Sequence, residues 1–133
     1  MITGLAGASL WSEDSAKLAS FYRDVLGLPE LHLVVERGEG AQGYYNFGDP
    51  DGPWLGIGNH SEIQGRAADA YRHLVALKTT DVHADVERLK AKGVEFIEEP
   101  QDQGGGFWIA TLKDPDGNLV QLYEGPVKNP WTA

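Results

Sequence analysis

Two stretches of the chain carry the same apolar rhythm. After Asp14, apolar side chains fall at Leu18, Phe21, Tyr22, Val25 and Leu26, the three-and-four spacing of a helix with one buried stripe. After Asp81 they fall at Val82, Val86, Leu89 and Ala91. Each stretch opens on an aspartate that can cap a helix N-terminus and closes on a glycine, Gly27 or Gly93, suited to the residue that ends one. Elsewhere the period is two. Ala8 and Leu10, Leu55 and Ile57, Val75 and Leu77, and Val120 and Leu122 stand on alternate positions, as strands with one face against helices require.

The two rhythms belong to one unit used twice. The turn Asp49-Pro50-Asp51-Gly52 returns as Asp114-Pro115-Asp116-Gly117, 65 residues on, and Asp14 and Asp81 are 67 apart. In such a turn proline presets φ and glycine accepts a positive φ. The first half reads strand, helix and three strands over 4–11, 15–26, 30–36, 43–48 and 53–58. The second reads the same over 72–79, 82–92, 94–98, 107–113 and 118–124, with Gly-rich loops at 37–42 and 100–106. The fold class is therefore α+β: two tandem βαβββ modules, about 1–58 and 72–125, joined by a linker at 59–71. Each sheet is expected to pack one face on its helix and turn the other toward the partner sheet across a cleft.

Composition narrows the chemistry. A chain of 133 residues is one domain's worth. With no cysteine, disulfides, thiolate nucleophiles and cysteine metal sites are excluded. A formal charge of −9 repels phosphate backbones, so nucleic acid is not an expected partner. Neither is a membrane, since no run approaches the ~20 apolar residues needed to cross a bilayer. The start Met1-Ile2-Thr3-Gly4-Leu5 lacks the basic region of a secretion signal, and a cytoplasmic location is expected.

Three segments resemble a known family. They are Phe21-Tyr22-Arg23-Asp24-Val25-Leu26-Gly27-Leu28, Leu89-Lys90-Ala91-Lys92-Gly93-Val94-Glu95-Phe96 and Asp114-Pro115-Asp116-Gly117-Asn118-Leu119. Together with the tandem modules they resemble the vicinal oxygen chelate superfamily, the fold of glyoxalase I, extradiol dioxygenases, and the fosfomycin- and bleomycin-resistance proteins. The resemblance runs from Leu5 to Glu124 and implies four metal-ligand positions, two per module. Here they hold Gly7, Gly56, Leu74 and Gln121. Glycine and leucine offer no donor atom, so no metal cofactor is expected. The remaining metal candidates are Gln121 and His73, which adjoins position 74 but on the opposite strand parity. The resemblance also implies a homodimer, with Pro126, Pro130 and Trp131 as interface candidates.

The same parity assigns the helix-free faces. Ser9, Trp11, Trp54, Lys78, Gln121 and Tyr123 fall there, with His60 just beyond the last strand of the first module. Gly7, Gly56 and Gly58 are expected to leave space where metal ligands would stand. Trp108 follows the flexible run Gly104-Gly105-Gly106 and joins the ligand-binding candidates, although the facing of its strand and of Tyr44–Phe47 stays open. His83 reads as a solvated residue of a first helical turn, and His32 lies between Leu31 and Leu33. The expected function is binding of an apolar or aromatic small molecule, a cationic one included, without a catalytic metal. The alternatives are a divalent-metal lyase or dioxygenase of the glyoxalase I or extradiol type, and a metal-free enzyme using Lys78, Tyr123 or His60 as acid or base. No catalytic residue is assigned.

Overall fold

The computed structural model describes residues 1, 3, 5–31, 44–49 and 51–125; His32, Pro126, Pro130, Trp131 and most of the strand expected over 30–36 lie outside them. The described elements are β1 (Gly7–Ser12), α1 (Ser15–Ser20), a π-helical turn (Phe21–Val25), β2 (Glu30–Leu31), β3 (Tyr44–Gly48) and β4 (Trp54–Asn59). A single 3₁₀ turn (Ala70–Arg72) is followed by β5 (Leu74–Thr79), α2 (Val82–Ala91), β6 (Phe96–Asp102), β7 (Trp108–Lys113) and β8 (Leu119–Glu124). The chain divides into two compact units, Met1–Gly65 and Arg66–Ala133. Each holds one four-stranded sheet, ordered β1-β4-β3-β2 and β5-β8-β7-β6. In both, the first and fourth strands run parallel and the others antiparallel.

The repetition extends to single hydrogen bonds. Asp14 caps α1 by accepting from the Lys17 amide at 3.1 Å, and Asp81 caps α2 by accepting from Ala84 at 3.0 Å. The last strand of each unit supplies a second cap. Asn59 Oδ1 accepts from the Ser15 amide at 2.9 Å, and Glu124 Oε1 accepts from Val82 at 2.8 Å. Register explains the match, because Ser12 pairs with Asn59 as Thr79 pairs with Glu124. Four first-turn amides of a helix lack intrahelical acceptors, and these side chains take two of them.

The core of each unit lies between sheet and helix. Leu10, Phe47 and Ile57 pack with Leu18, Ala19 and Tyr22 in the first, all buried. Ala110, Leu112, Val120 and Leu122 pack with Val82, Val86 and Leu89 in the second. Ala8, at the start of β1, is exposed.

Two elements differ from the sequence pattern. The helix expected over 15–26 widens at Phe21, where the Leu26 amide reaches back five residues to the Phe21 carbonyl at 3.0 Å. Tyr22 is wholly buried there, its ring centroid 6.4 Å from that of Phe47. Strand β6 runs on to Asp102, through part of the loop expected over 100–106. It is an edge strand, and its register shifts between Glu98 and Gln101, which accommodates Pro100 without a ladder donor. The reversal is confined to 103–107, closed by the Gln103 amide on the Phe107 carbonyl at 2.7 Å. Gly104, Gly105 and Gly106 all take positive φ there, which no other residue type adopts in succession without strain.

Candidate functional site

In the first unit the helix-free face is an aromatic surface laid on glycine. Tyr44 pairs across β3 and β4 with Gly58, and Ser9 pairs across β1 and β4 with Gly56. The Tyr44 hydroxyl and Ser9 Oγ lie 3.1 Å apart, directly above Gly56. A β-carbon at Gly56 would press on the Tyr44 hydroxyl and stand 2.7 Å from Ser9 Oγ. One at Gly58 would stand 2.6 Å from the Tyr44 ring and 2.9 Å from that of Trp11. One at Gly7 would collide with the Trp54 indole. The space expected above these glycines is therefore filled by Trp54, Tyr44, Ser9 and Trp11. Trp11 remains 47% exposed, with the Tyr44 ring at 6.0 Å and the His60 ring edge-on at 5.6 Å. His60 Nδ1 accepts from the Glu62 amide at 3.2 Å, which orients the imidazole.

In the second unit the corresponding face is polar at its centre. Tyr123 donates its hydroxyl to Gln121 Oε1 at 3.0 Å, and Gln121 Nε2 donates to Thr111 Oγ1 at 3.3 Å. The Phe107 ring meets the Tyr123 ring edge-on at 5.5 Å. Lys78, paired in register with Tyr123, is exposed on the same face. A cavity of about 630 Å³ is lined by Lys78, Thr79, Thr80, Tyr123 and Gly125. Trp108 belongs elsewhere. β7 turns Ile109 and Thr111 to the helix-free face and Trp108 to the helix side, where His83 lies edge-on at 4.8 Å. His73 is exposed, one residue before β5 begins.

Of the four positions that the sequence resemblance assigns to metal ligands, Gln121 alone carries a side-chain donor atom. Gly7 and Gly56 lie beneath Trp54 and Tyr44, Leu74 has no donor, and Gln121 is engaged with Thr111 and Tyr123. A different group, Asp81, His83 and Glu124, brings one possible ligand atom each within 4.8 Å. Both of its carboxylates already cap α2, and the first unit performs the Glu124 task with a neutral Asn59. The cluster is what a helix N-terminus asks for.

Sequence reasoning placed Ser9, Trp11, Trp54, Lys78, Gln121 and Tyr123 on the helix-free faces, left the facing of Tyr44 open, and did not single out Thr111. Gly56 and Gly58 themselves carried a signal for Tyr44. A strand glycine facing away from the core is commonly covered by an aromatic residue on the neighbouring strand.

The family model of the Glyoxalase/Bleomycin resistance protein/Dioxygenase superfamily matches residues 4–122. The chain is 27% identical to a probable lactoylglutathione lyase of Vibrio cholerae over 124 residues, 84% of this chain and 83% of that protein. It is 43% identical over 58 residues to a lactoylglutathione lyase of Arabidopsis thaliana, covering 42% of this chain and a fifth (20%) of that one. Its fold superposes on the fosfomycin resistance protein FosX of Listeria monocytogenes with a TM-score of 0.67 and 27% identity, over 96% of this chain and 94% of that one.

Proposed function

The chain belongs to the glyoxalase/bleomycin resistance protein/dioxygenase superfamily, and from that premise we propose that it binds an apolar or aromatic small molecule without a catalytic metal. The observation that carries this reading is the aromatic covering of the ligand positions. Glycine at 7 and 56 removes the donor atom and also lets Trp54 and Tyr44 lie close to the sheet. Half-exposed Trp11, with Tyr44 and His60 beside it, offers a ring surface to a flat ligand. Ser9, Gln121 and Tyr123 supply neutral donors and acceptors on the two helix-free faces. We further read the protein as a homodimer.

A second reading follows from the relatives named lactoylglutathione lyase: a divalent-metal lyase, or a dioxygenase of the same superfamily. One measurement separates the two. Protein purified without chelator is analysed for metal and titrated with a panel of aromatic compounds, following tryptophan fluorescence. The binding reading expects no stoichiometric metal, saturable quenching, and weaker quenching in Trp11→Ala and Trp54→Ala. About one tightly held divalent ion per chain, with metal-dependent turnover, establishes the second reading instead.

A further inference from the structure

The cavity at the carboxyl ends of β5 and β8 has a character distinct from the aromatic face of the first unit. Its lining includes one charged side chain, Lys78, and two hydroxyl-bearing residues whose roles differ, Thr80 and Thr79. Thr79 Oγ1 is already committed, donating to the Asp85 carboxylate and accepting from the Asp81 amide at 3.1 Å. Among the described residues, Thr80 makes no side-chain hydrogen bond and Lys78 no ion pair. The Tyr123 hydroxyl donates to Gln121 Oε1, so Thr80 is the hydroxyl left to donate into the cavity. The ring pair of Tyr123 and Phe107 provides an apolar flank beside these polar groups.

The far wall is built for close approach. Gly125 holds a φ of 107°, and a β-carbon there would collide with the Gly106 carbonyl and stand 3.1 Å from Phe107 Cα. The glycine hairpin thus packs against the end of β8, beside the cavity that Lys78 lines. About 630 Å³ is the size of a small-ligand pocket, which runs roughly 300–1,000 Å³.

We propose that this cavity is an oxyanion subsite: it seats the carboxylate or phosphate of a ring-bearing organic acid, with the Lys78 ammonium and the Thr80 hydroxyl as donors. The inference rests on the small-molecule reading above and adds the charge of the ligand. An ammonium beside the uncommitted Thr80 hydroxyl, with no carboxylate partner among the described residues, attracts an anion, and the Tyr123 ring beside it favours one carried on a ring. The charge of −9 on the whole chain makes a local cation necessary for any acid to be retained.

The test uses the full chain and three probes that share a ring system: naphthoate, naphthyl phosphate and naphthamide, each titrated by calorimetry. The anions are expected to bind roughly tenfold more tightly than the amide, the scale of one charge-assisted hydrogen bond. Lys78→Met should bring them to the affinity of the amide and leave the amide unchanged, and Lys78→Arg should restore the preference. Whichever anion binds more tightly supports the inference and names the oxyanion. Equal binding of all three probes, or a preference that survives Lys78→Met, overturns it while leaving the small-molecule reading intact. If none of the three binds, the subsite is also overturned, and the broader reading stands or falls on the aromatic panel with Trp11→Ala and Trp54→Ala.

Discussion

Gly56 has room for a hydrogen and nothing larger, because Ser9 Oγ and the Tyr44 hydroxyl meet above it. Gly56→Ala should therefore cost about 1–3 kcal/mol, as overpacking does, and should quench ligand-dependent fluorescence changes by moving Tyr44. A thermal melt beside a ligand titration reads both effects; an unchanged melting temperature would mean the ring moves freely. Tyr44→Phe removes only the hydroxyl contact and is expected to cost less, about 1 kcal/mol. A charged example lies at the end of the first helix. Arg23 hydrogen-bonds the Asp24 carboxylate, and Ser20 donates to it at 2.9 Å; both hold its carboxyl below the usual carboxylate range. A lowered folded value means that the stabilisation is present above the unfolded pKa and is lost as pH falls through the folded one. Arg23→Met should raise the Asp24 midpoint toward that of a free aspartate, measured by carboxyl-carbon NMR across an acid titration, with Ser20→Ala giving a smaller rise. The pair is exposed, so its effect on overall stability is expected to be small.

At the scale of elements, the two Asp-Pro-Asp-Gly turns share a sequence and differ in what they hold. Asp114 is buried; its Oδ1 accepts from the Asp116 and Asn118 amides, both at 2.9 Å, and its Oδ2 from Asn118 Nδ2 at 2.9 Å. Asp49 is exposed and accepts from the Asp51 amide at 2.9 Å. Asp114→Ala strands buried donors and should cost about 3 kcal/mol, whereas Asp49→Ala should cost less than about 1 kcal/mol. Urea melts of the two variants check the ordering. The capping role of Glu124 gives a second prediction. Glu124→Gln keeps an acceptor for the Val82 amide and should leave the melting temperature nearly unchanged, and Glu124→Ala should cost about 1 kcal/mol. A strong dependence of stability on added zinc, lost in Glu124→Gln, would instead assign the Asp81–His83–Glu124 group to metal.

At the scale of the whole molecule, each unit carries its own sheet, helix and core, so the βαβββ repeat is a repeat of structure as well as of residues. Among the described residues no helix is long and apolar enough to cross a membrane. The formal charge of −9 should keep the protein from duplex DNA at low salt, which a gel-shift titration checks. Light scattering after size exclusion should return twice the chain mass if the protein is the expected homodimer.

The amino-acid sequence by itself determined everything that follows from one uniformly apolar face. Leu10, Ile57, Val120 and Leu122 share their parity with Ala8, Leu55, Val75 and Leu77, all apolar, whereas the opposite parity would bury Gln121 and Tyr123; the facing of β1, β4, β5 and β8 was therefore legible, and with it Ser9, Trp11, Trp54, Lys78, Gln121 and Tyr123. The caps at Asp14 and Asp81 were legible because a cap is a local arrangement within one turn. β3 carries aromatic residues on both faces and the segment Phe107-Trp108 leads into β7 with one on each, so either parity satisfies burial, and only pairing with β4 and β8 sends Tyr44 to the helix-free side and Trp108 toward His83. The same limit hid the covering of the glycines. Tyr44 and Ser9 are 35 residues apart, and a glycine's emptiness says nothing local about which distant ring will fill it. The cavity beside Lys78 arises likewise where the end of β5 meets the end of β8, segments that come together only once the second sheet has formed.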